Sequence, residues 1–327
     1  MTSPPPATRP QTSSLLDALL ARRLIVVTGK GGTGKTTLTA ALGLASAARG
    51  RRTLLVEVGG ARGLARALGV RNAGYRAEHI RDGLYLLSMD PRAALEDYIV
   101  RQVRLRALYR VVFRNRWMGP FMDTVPGLGD VVQLGKIWDL LQERRDEAWC
   151  WDCLVLDAPA TGHGLALLGA PRAMMDLTRS GPFFANAARV QTLIEDPLTT
   201  AVVLTALPEP LPVTEAIELA RGLGPARTLL RGCVLNQVHA PPFGPLSAWP
   251  SARARLAALD HPAWREAVGL VDNWVAQARR QEEARERLDR ELGLPRLELS
   301  ALPARSLGLA ELTRLADRLG QGGGGTA

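Results

Sequence analysis

The chain has 327 residues, 46% of them apolar, which is ample for a buried core, and a net charge of +9. Three cysteines, an odd number, give no disulfide framework and suit a reducing cytoplasm, and no apolar run is long enough to span a membrane. The basic residues are spread along the chain. Their densest stretch, from Arg101 to Arg116, winds its arginines all round a helix, so neither an amphipathic membrane helix nor a concentrated nucleic-acid patch is expected.

Residues 1–14 are rich in Pro, Ser and Thr and lack a signal-peptide core, so they are expected to fray, as is the glycine-rich end 321–327. A short amphipathic helix is predicted around Leu15–Ala21. Leu24–Val27 reads as a buried parallel strand, followed by a glycine loop and an alanine- and leucine-rich helix over Leu38–Ala48. Further apolar runs predict strands at Thr53–Val58, Leu84–Met89, Cys153–Asp157, Ala201–Thr205, Gly232–Leu235 and Leu297–Leu299. Helical segments separate most of them, which argues for an α/β fold with a mostly parallel, doubly wound sheet. Two longer helical stretches, about 91–147 and 164–194, carry no convincing strand and are expected to cluster above the sheet. A third helical block covers about 251–292. No linker divides these pieces, so residues 15–320 are expected as one domain with helical insertions.

The loop is the most specific feature. Gly29-Lys30-Gly31-Gly32-Thr33-Gly34-Lys35-Thr36-Thr37 fits the P-loop pattern G-x-x-x-x-G-K-[ST] in the required order of strand, loop and helix. Successive backbone N–H groups and the next helix's N-terminus make a concave anion site, with Lys35 for the β- and γ-phosphates and the Thr36 hydroxyl for Mg²⁺. Thr33 reads as filler. The second lysine, Lys30, marks the deviant Walker A variant. Only three of the 41 basic residues are lysines, and two of them stand in this loop, where a compact ammonium and a planar guanidinium are not equivalent. A nucleoside triphosphate such as ATP with Mg²⁺ is the ligand expected. Asp157, ending an apolar strand, reads either as a Walker B carboxylate that holds Mg²⁺ through water or as an ordinary polar strand end.

At Asp157-Ala158-Pro159-Ala160-Thr161-Gly162-His163 and at Lys30–Thr37 the chain resembles the ArsA family of P-loop ATPases, which includes arsenite-pump and tail-anchored-protein targeting ATPases. Similarity continues through Pro126-Gly127-Leu128, Pro208–Glu215 and Asn236-Gln237, and so covers about residues 20–318. The resemblance implies ATP hydrolysis by a homodimer, or a heterodimer with a paralogous ATPase, that closes over nucleotide, with Lys30 reaching the partner's phosphates. It implies that Asn236 hydrogen-bonds adenine, with a strand-end cap as the alternative, and that Pro303 lies near the adenine. It also implies that Trp117, Met118, Phe121, Met122, Val125, Leu128 and Trp138 line a groove for an apolar protein client, where plain helix–helix core is the other reading.

The chain departs from the family at the first switch. Family members usually carry Asp-Pro-Ala-His after the second strand, the aspartate positioning the attacking water; here the aligned residues are Gly59-Gly60-Ala61-Arg62. Glu57, two residues earlier and on the same side of the strand, either reaches the water or Mg²⁺ in its place or is structural. Slow hydrolysis, or a weakly catalytic subunit beside an active paralogue, follows as an alternative; a partition- or positioning-type ATPase is a third. Cys150-Trp151-Asp152-Cys153 has metal-ligand spacing but no second pair to complete four ligands. Targeting-type relatives place a zinc C-x-x-C where this chain has Val238-His239-Ala240-Pro241-Pro242, and Cys150, Cys153 and Cys233 do not reproduce the arsenite-pump cysteines.

Overall fold

The computed structural model describes residues 12–59, 62–71, 73–103, 127–159, 161–240, 246–259, 262–302 and 307–320. Its centre is an eight-stranded sheet in the order β10-β9-β8-β1-β7-β2-β4-β3. The strands are β1 (Leu24–Gly29), β2 (Thr53–Val58), β3 (Glu78–Arg81), β4 (Leu84–Met89), β7 (Cys153–Asp157), β8 (Thr200–Ala206), β9 (Leu230–Val238) and β10 (Arg296–Ser300). All neighbours run parallel except the edge pair β3–β4.

Alternation along each strand feeds two cores. Val26, Leu54, Val56, Leu156 and Val202 join one buried cluster, while Ile25, Val27, Leu55, Val155 and Val203 join the other. A strand buried on both faces must be apolar throughout, which is why these segments read as unbroken runs. The second face is covered by α1 (Thr12–Leu20), α2 (Lys35–Ala47), the short α3 (Gly63–Ala67) and α11 (Leu309–Gly320). The first carries α4 (Pro91–Val103), α5 (Leu128–Gln142), α6 (Thr161–Thr178), α7 (Gly181–Glu195), α8 (Pro210–Gly222) and the end of α10 (Pro262–Leu292); α9 (Trp249–Ala257) packs on α10.

The predicted insertions pack directly on the sheet: Ile99, Ile137, Leu167 and Val190 share one buried cluster with the strand side chains. The stretch expected to lack strands ends in a two-stranded hairpin, β5 (Arg144–Arg145) with β6 (Ala148–Trp149), too short for any alternation to show in sequence. The second stretch breaks at Arg179 and Gly181, both at positive φ, into two helices. Helix α1 opens at Thr12, inside the segment expected to fray. Leu128 is 2% exposed and Trp138 packs against the same core, so both are helix–helix core; Trp117, Met118, Phe121, Met122 and Val125 lie outside the described residues.

Helix α2, which the glycine loop feeds, lies so close to β2 that a Cβ on Gly43 would sit 2.3 Å from Leu55 Cδ2. Gly43→Val should therefore overpack this interface and cost about 1–3 kcal/mol. Urea unfolding checks it: the midpoint should fall with an unchanged slope, and an unaltered midpoint would show that α2 is not held this close.

Candidate functional site

The loop after β1 is fastened from the neighbouring strands. The Thr33 hydroxyl donates to the Lys30 carbonyl at 2.8 Å and shares a 2.7 Å hydrogen bond with the Thr205 hydroxyl at the end of β8. Thr33 is 1% exposed, so this side chain that sequence alone left as filler anchors the loop. The Asn236 amide, on β9, donates to the Thr33 carbonyl at 3.0 Å. Gly34 has φ 94°, and a Cβ there would fall 2.0 Å from Asn236 Nδ2, so both the left-handed backbone and the close approach require glycine. Lys35 opens α2, and its ammonium donates to the Lys30 carbonyl at 3.0 Å. Burial lowers the Lys35 pKa, and nearby Asp157 opposes that shift.

The next residue of α2 brings the glycine loop and the Asp157 segment together. The Thr36 hydroxyl donates to Asp157 Oδ2 at 2.7 Å, across 121 residues of chain. Asp157 is 8% exposed, and its other oxygen, Oδ1, is buried with no hydrogen-bond partner. Burial pushes this carboxyl up to about 6; the Thr36 hydrogen bond and Lys35 pull the other way, and neighbouring Glu57 adds to the rise. A half-satisfied buried carboxylate beside a hydroxyl is a donor set that fits a hard divalent cation, for which Thr36 and Asp157 are the available oxygens.

Glu57 pairs with Asp157 in the β2–β7 register and is 1% exposed. Its Oε1 accepts the Leu64 N–H at 2.8 Å and its Oε2 accepts the Ser88 hydroxyl at 3.4 Å. These contacts fix the start of α3 and tie β2 to β4. Gly59, where the family's carboxylate would stand, has φ 78° and open space where a Cβ would project. Its N–H donates to Gln133 Oε1 at 3.4 Å, and Gln133 Nε2 donates to the Gly129 carbonyl of the same helix, α5. Gly60 and Ala61 lie outside the described residues.

A cavity of about 440 Å³ opens beside the loop, lined among others by Gly32, Lys35, Thr37, Asn236, Ser300 and Leu302. It lies between α2 and the ends of β9 and β10, with Asn236 in its wall. Pro303, expected near here, lies outside the described residues, as do the side chains of Thr161, Gly162 and His163. The cysteines sit elsewhere. Cys150 is buried in one core and Cys153 in the other, on opposite faces of the sheet, so this C-x-x-C does not converge on a metal. Among the described residues no group of three or more His, Cys, Asp or Glu is placed to hold a metal ion, and no helix is long and apolar enough to cross a membrane. Burial pushes the Cys153 thiol up to about 11 and Cys233 up to about 12, which disfavours the thiolate in both.

Residues 22–181 match the ArsA ATPase family model, described as anion-transporting ATPase. Over that segment the chain is similar to the ArsA family of ATPases. It is 35% identical over 221 residues to ATPase BagA of Mycobacterium tuberculosis, covering 66% of this chain and 65% of that protein. It is 32% identical over 152 residues to the uncharacterized protein SCO2128 of Streptomyces coelicolor, covering 46% and 37%. To ATPase ASNA1 homolog 1 of Paramecium tetraurelia it is 24% identical over 150 residues, covering 46% and 44%. The chain thus spans less than two thirds of the length of the relatives it matches. The ArsA-family model ends soon after α6, so it takes in the loop, Glu57, Gly59 and Asp157 but not Asn236 or Glu215.

In this site the raised pKa of Asp157 has a stability consequence. A carboxyl easier to protonate when folded stabilises the metal-free chain most below its unfolded pKa, near 3.8, and that contribution is lost as pH rises through about 6. Asp157→Asn, which cannot ionise, should therefore stabilise the metal-free protein at pH 7–8, by up to about 2–3 kcal/mol, and progressively less toward pH 4. Thermal melts of both chains across that range check it. A gain independent of pH would mean that the carboxylate is not strained by burial.

Proposed function

We propose that this chain binds ATP with Mg²⁺, hydrolyses it slowly, and works as a dimer whose nucleotide state controls binding and release of a protein partner. The observation that carries the reading is the meeting of Thr36 with Asp157 at 2.7 Å, directly beneath the loop, with Asp157 Oδ1 left unpaired. A magnesium ion held by these oxygens would neutralise charge on the β- and γ-phosphates. The loop's backbone N–H groups cradle the phosphates, and Lys35 adds a point charge at the head of α2. The cavity walled by Asn236 has room for the base and ribose. Homodimer or heterodimer, an apolar client, and Lys30 acting across the dimer are carried over from the family and belong to the same proposal.

Slow turnover is favoured by a specific observation. Both oxygens of Glu57 already hold protein donors, and Gly59 offers no side chain, so the described residues between β2 and β3 present no carboxylate to orient a water. Glu57 is accordingly assigned a positioning role, fixing α3 and β4. The chain resembles a nucleotide-gated binder more closely than a fast hydrolase.

Two substitutions separate these roles, with radiolabelled ATP binding and phosphate release as the readouts. Lys35→Ala should abolish both. Gly59→Asp should keep binding and raise turnover of order tenfold or more, toward the roughly 10²-fold commonly supplied by such a group. The space there is open; a side chain is strained at φ 78°, but aspartate tolerates left-handed backbone better than most residues. Fast phosphate release by the unaltered chain, with no gain from Gly59→Asp, would defeat the slow-turnover reading.

A further inference from the structure

Lys30, the additional lysine of the loop, is engaged within its own chain. Its Nζ lies 2.9 Å from Glu215 Oε1, with the lysine side chain 48% and the glutamate 21% exposed. Glu215 stands on α8, the helix that follows β8, and β8 is the strand whose Thr205 clamps the loop. Helix α8 is itself fastened. The Thr214 hydroxyl, next to Glu215, accepts from Arg287 Nη1 of α10 at 2.8 Å. Arg287 also pairs with Glu291 at 2.9 Å, and Glu291 pairs with Arg221 near the end of α8 at 3.0 Å. The carboxylate that meets Lys30 is thus presented by a braced element, while the lysine rides on a loop.

An ammonium carries one unit of positive charge, and a carboxylate at 2.9 Å largely neutralises it. A phosphate that needs this ammonium must compete with the carboxylate for it. We infer that Glu215 is a positioning residue for Lys30: it holds the ammonium away from the phosphates until nucleotide draws it off, so that the ion pair opposes binding of the triphosphate. The inference rests on the reading that the loop takes a nucleoside triphosphate. Its particular content is that removing the carboxylate helps only when Lys30 is present.

A double-mutant cycle tests it on the full chain. Affinity for a non-hydrolysable ATP analogue with Mg²⁺ is measured for the unaltered protein, Glu215→Gln, Lys30→Ala and the double variant. Glu215→Gln is isosteric, and a thermal melt confirms that each variant is folded. Glu215→Gln should tighten binding roughly three- to fivefold, the scale of a part-exposed ion pair. Adding it to Lys30→Ala should give no gain. Equal tightening in both backgrounds would reduce Glu215 to a general repulsive charge and overturn the inference, as would no change in either. Failure of the unaltered chain to bind, or binding indifferent to Lys35→Ala, is a different result: it removes the nucleotide reading itself, and the inference with it.

Discussion

Two carboxylates, Glu57 and Asp157, stand side by side at the C-terminal ends of adjacent central strands, 1% and 8% exposed, and that end of the sheet is organised by their juxtaposition. Buried like charges are costly unless each is hydrogen-bonded or paired. Glu57 is relieved by a backbone N–H from α3 and a hydroxyl from β4, both proteinaceous and both fixed. Asp157 is relieved on one oxygen only, by Thr36, and keeps Lys35 close. That asymmetry divides their work. Both Glu57 oxygens hold protein donors, while Asp157 retains an unpaired oxygen at the place where the loop turns into α2. For Thr36 to reach it, α2 must begin at Lys35 and lie close on β2, which is what Gly43 permits.

The opposite ends of the strands show where the excess positive charge goes. Arg23 donates to the Leu141 and Trp151 carbonyls, Arg51 to the Asp152 carbonyl, and the Trp149 ring lies between Arg23 and Arg144 at 4.0 and 3.9 Å. Forked, planar guanidinium groups serve such carbonyl and ring contacts better than an ammonium. The half-buried Arg23 and Arg51 therefore serve the fold itself. Lys30 and Lys136 each meet a carboxylate, at 2.9 and 2.8 Å.

The central strands were legible because a strand covered on both faces must be apolar at every position, and such runs stand out. β3 was not, since an edge strand exposed on alternate positions shows little apolar signal over the four residues of Glu78–Arg81. The loop and Asp157 were legible because backbone geometry and cation binding constrain residue type directly. The residues missed are those whose role depends on distant partners. Gln133 reaches Gly59 across 74 positions, and Thr33 finds Thr205 across 172. Ser88 meets Glu57 through strand register, and Glu215 meets Lys30 through the placement of α8. None of these pairs leaves a local pattern; only the packed sheet creates them.

On the proposed reading, binding and hydrolysis would draw on separate parts of this site, and that separation gives the glycine at position 59 its meaning. On the same reading, the groups that would hold phosphate and cation come from β1, α2 and β7, braced by β8 and β9. The groups that would order a water come from the segment after β2, which is tied by Gly59 N–H to Gln133 of α5. Helix α5 packs in turn against α4, α6 and α7. On that reading, glycine rather than a carboxylate at position 59 leaves the binding set whole while withholding part of what would end the bound state. The same backbone amide still links that segment to the helical layer. On the proposed reading, a chain built this way retains nucleotide-dependent shape and lengthens the time spent in it, a combination suited to holding a partner rather than to rapid turnover.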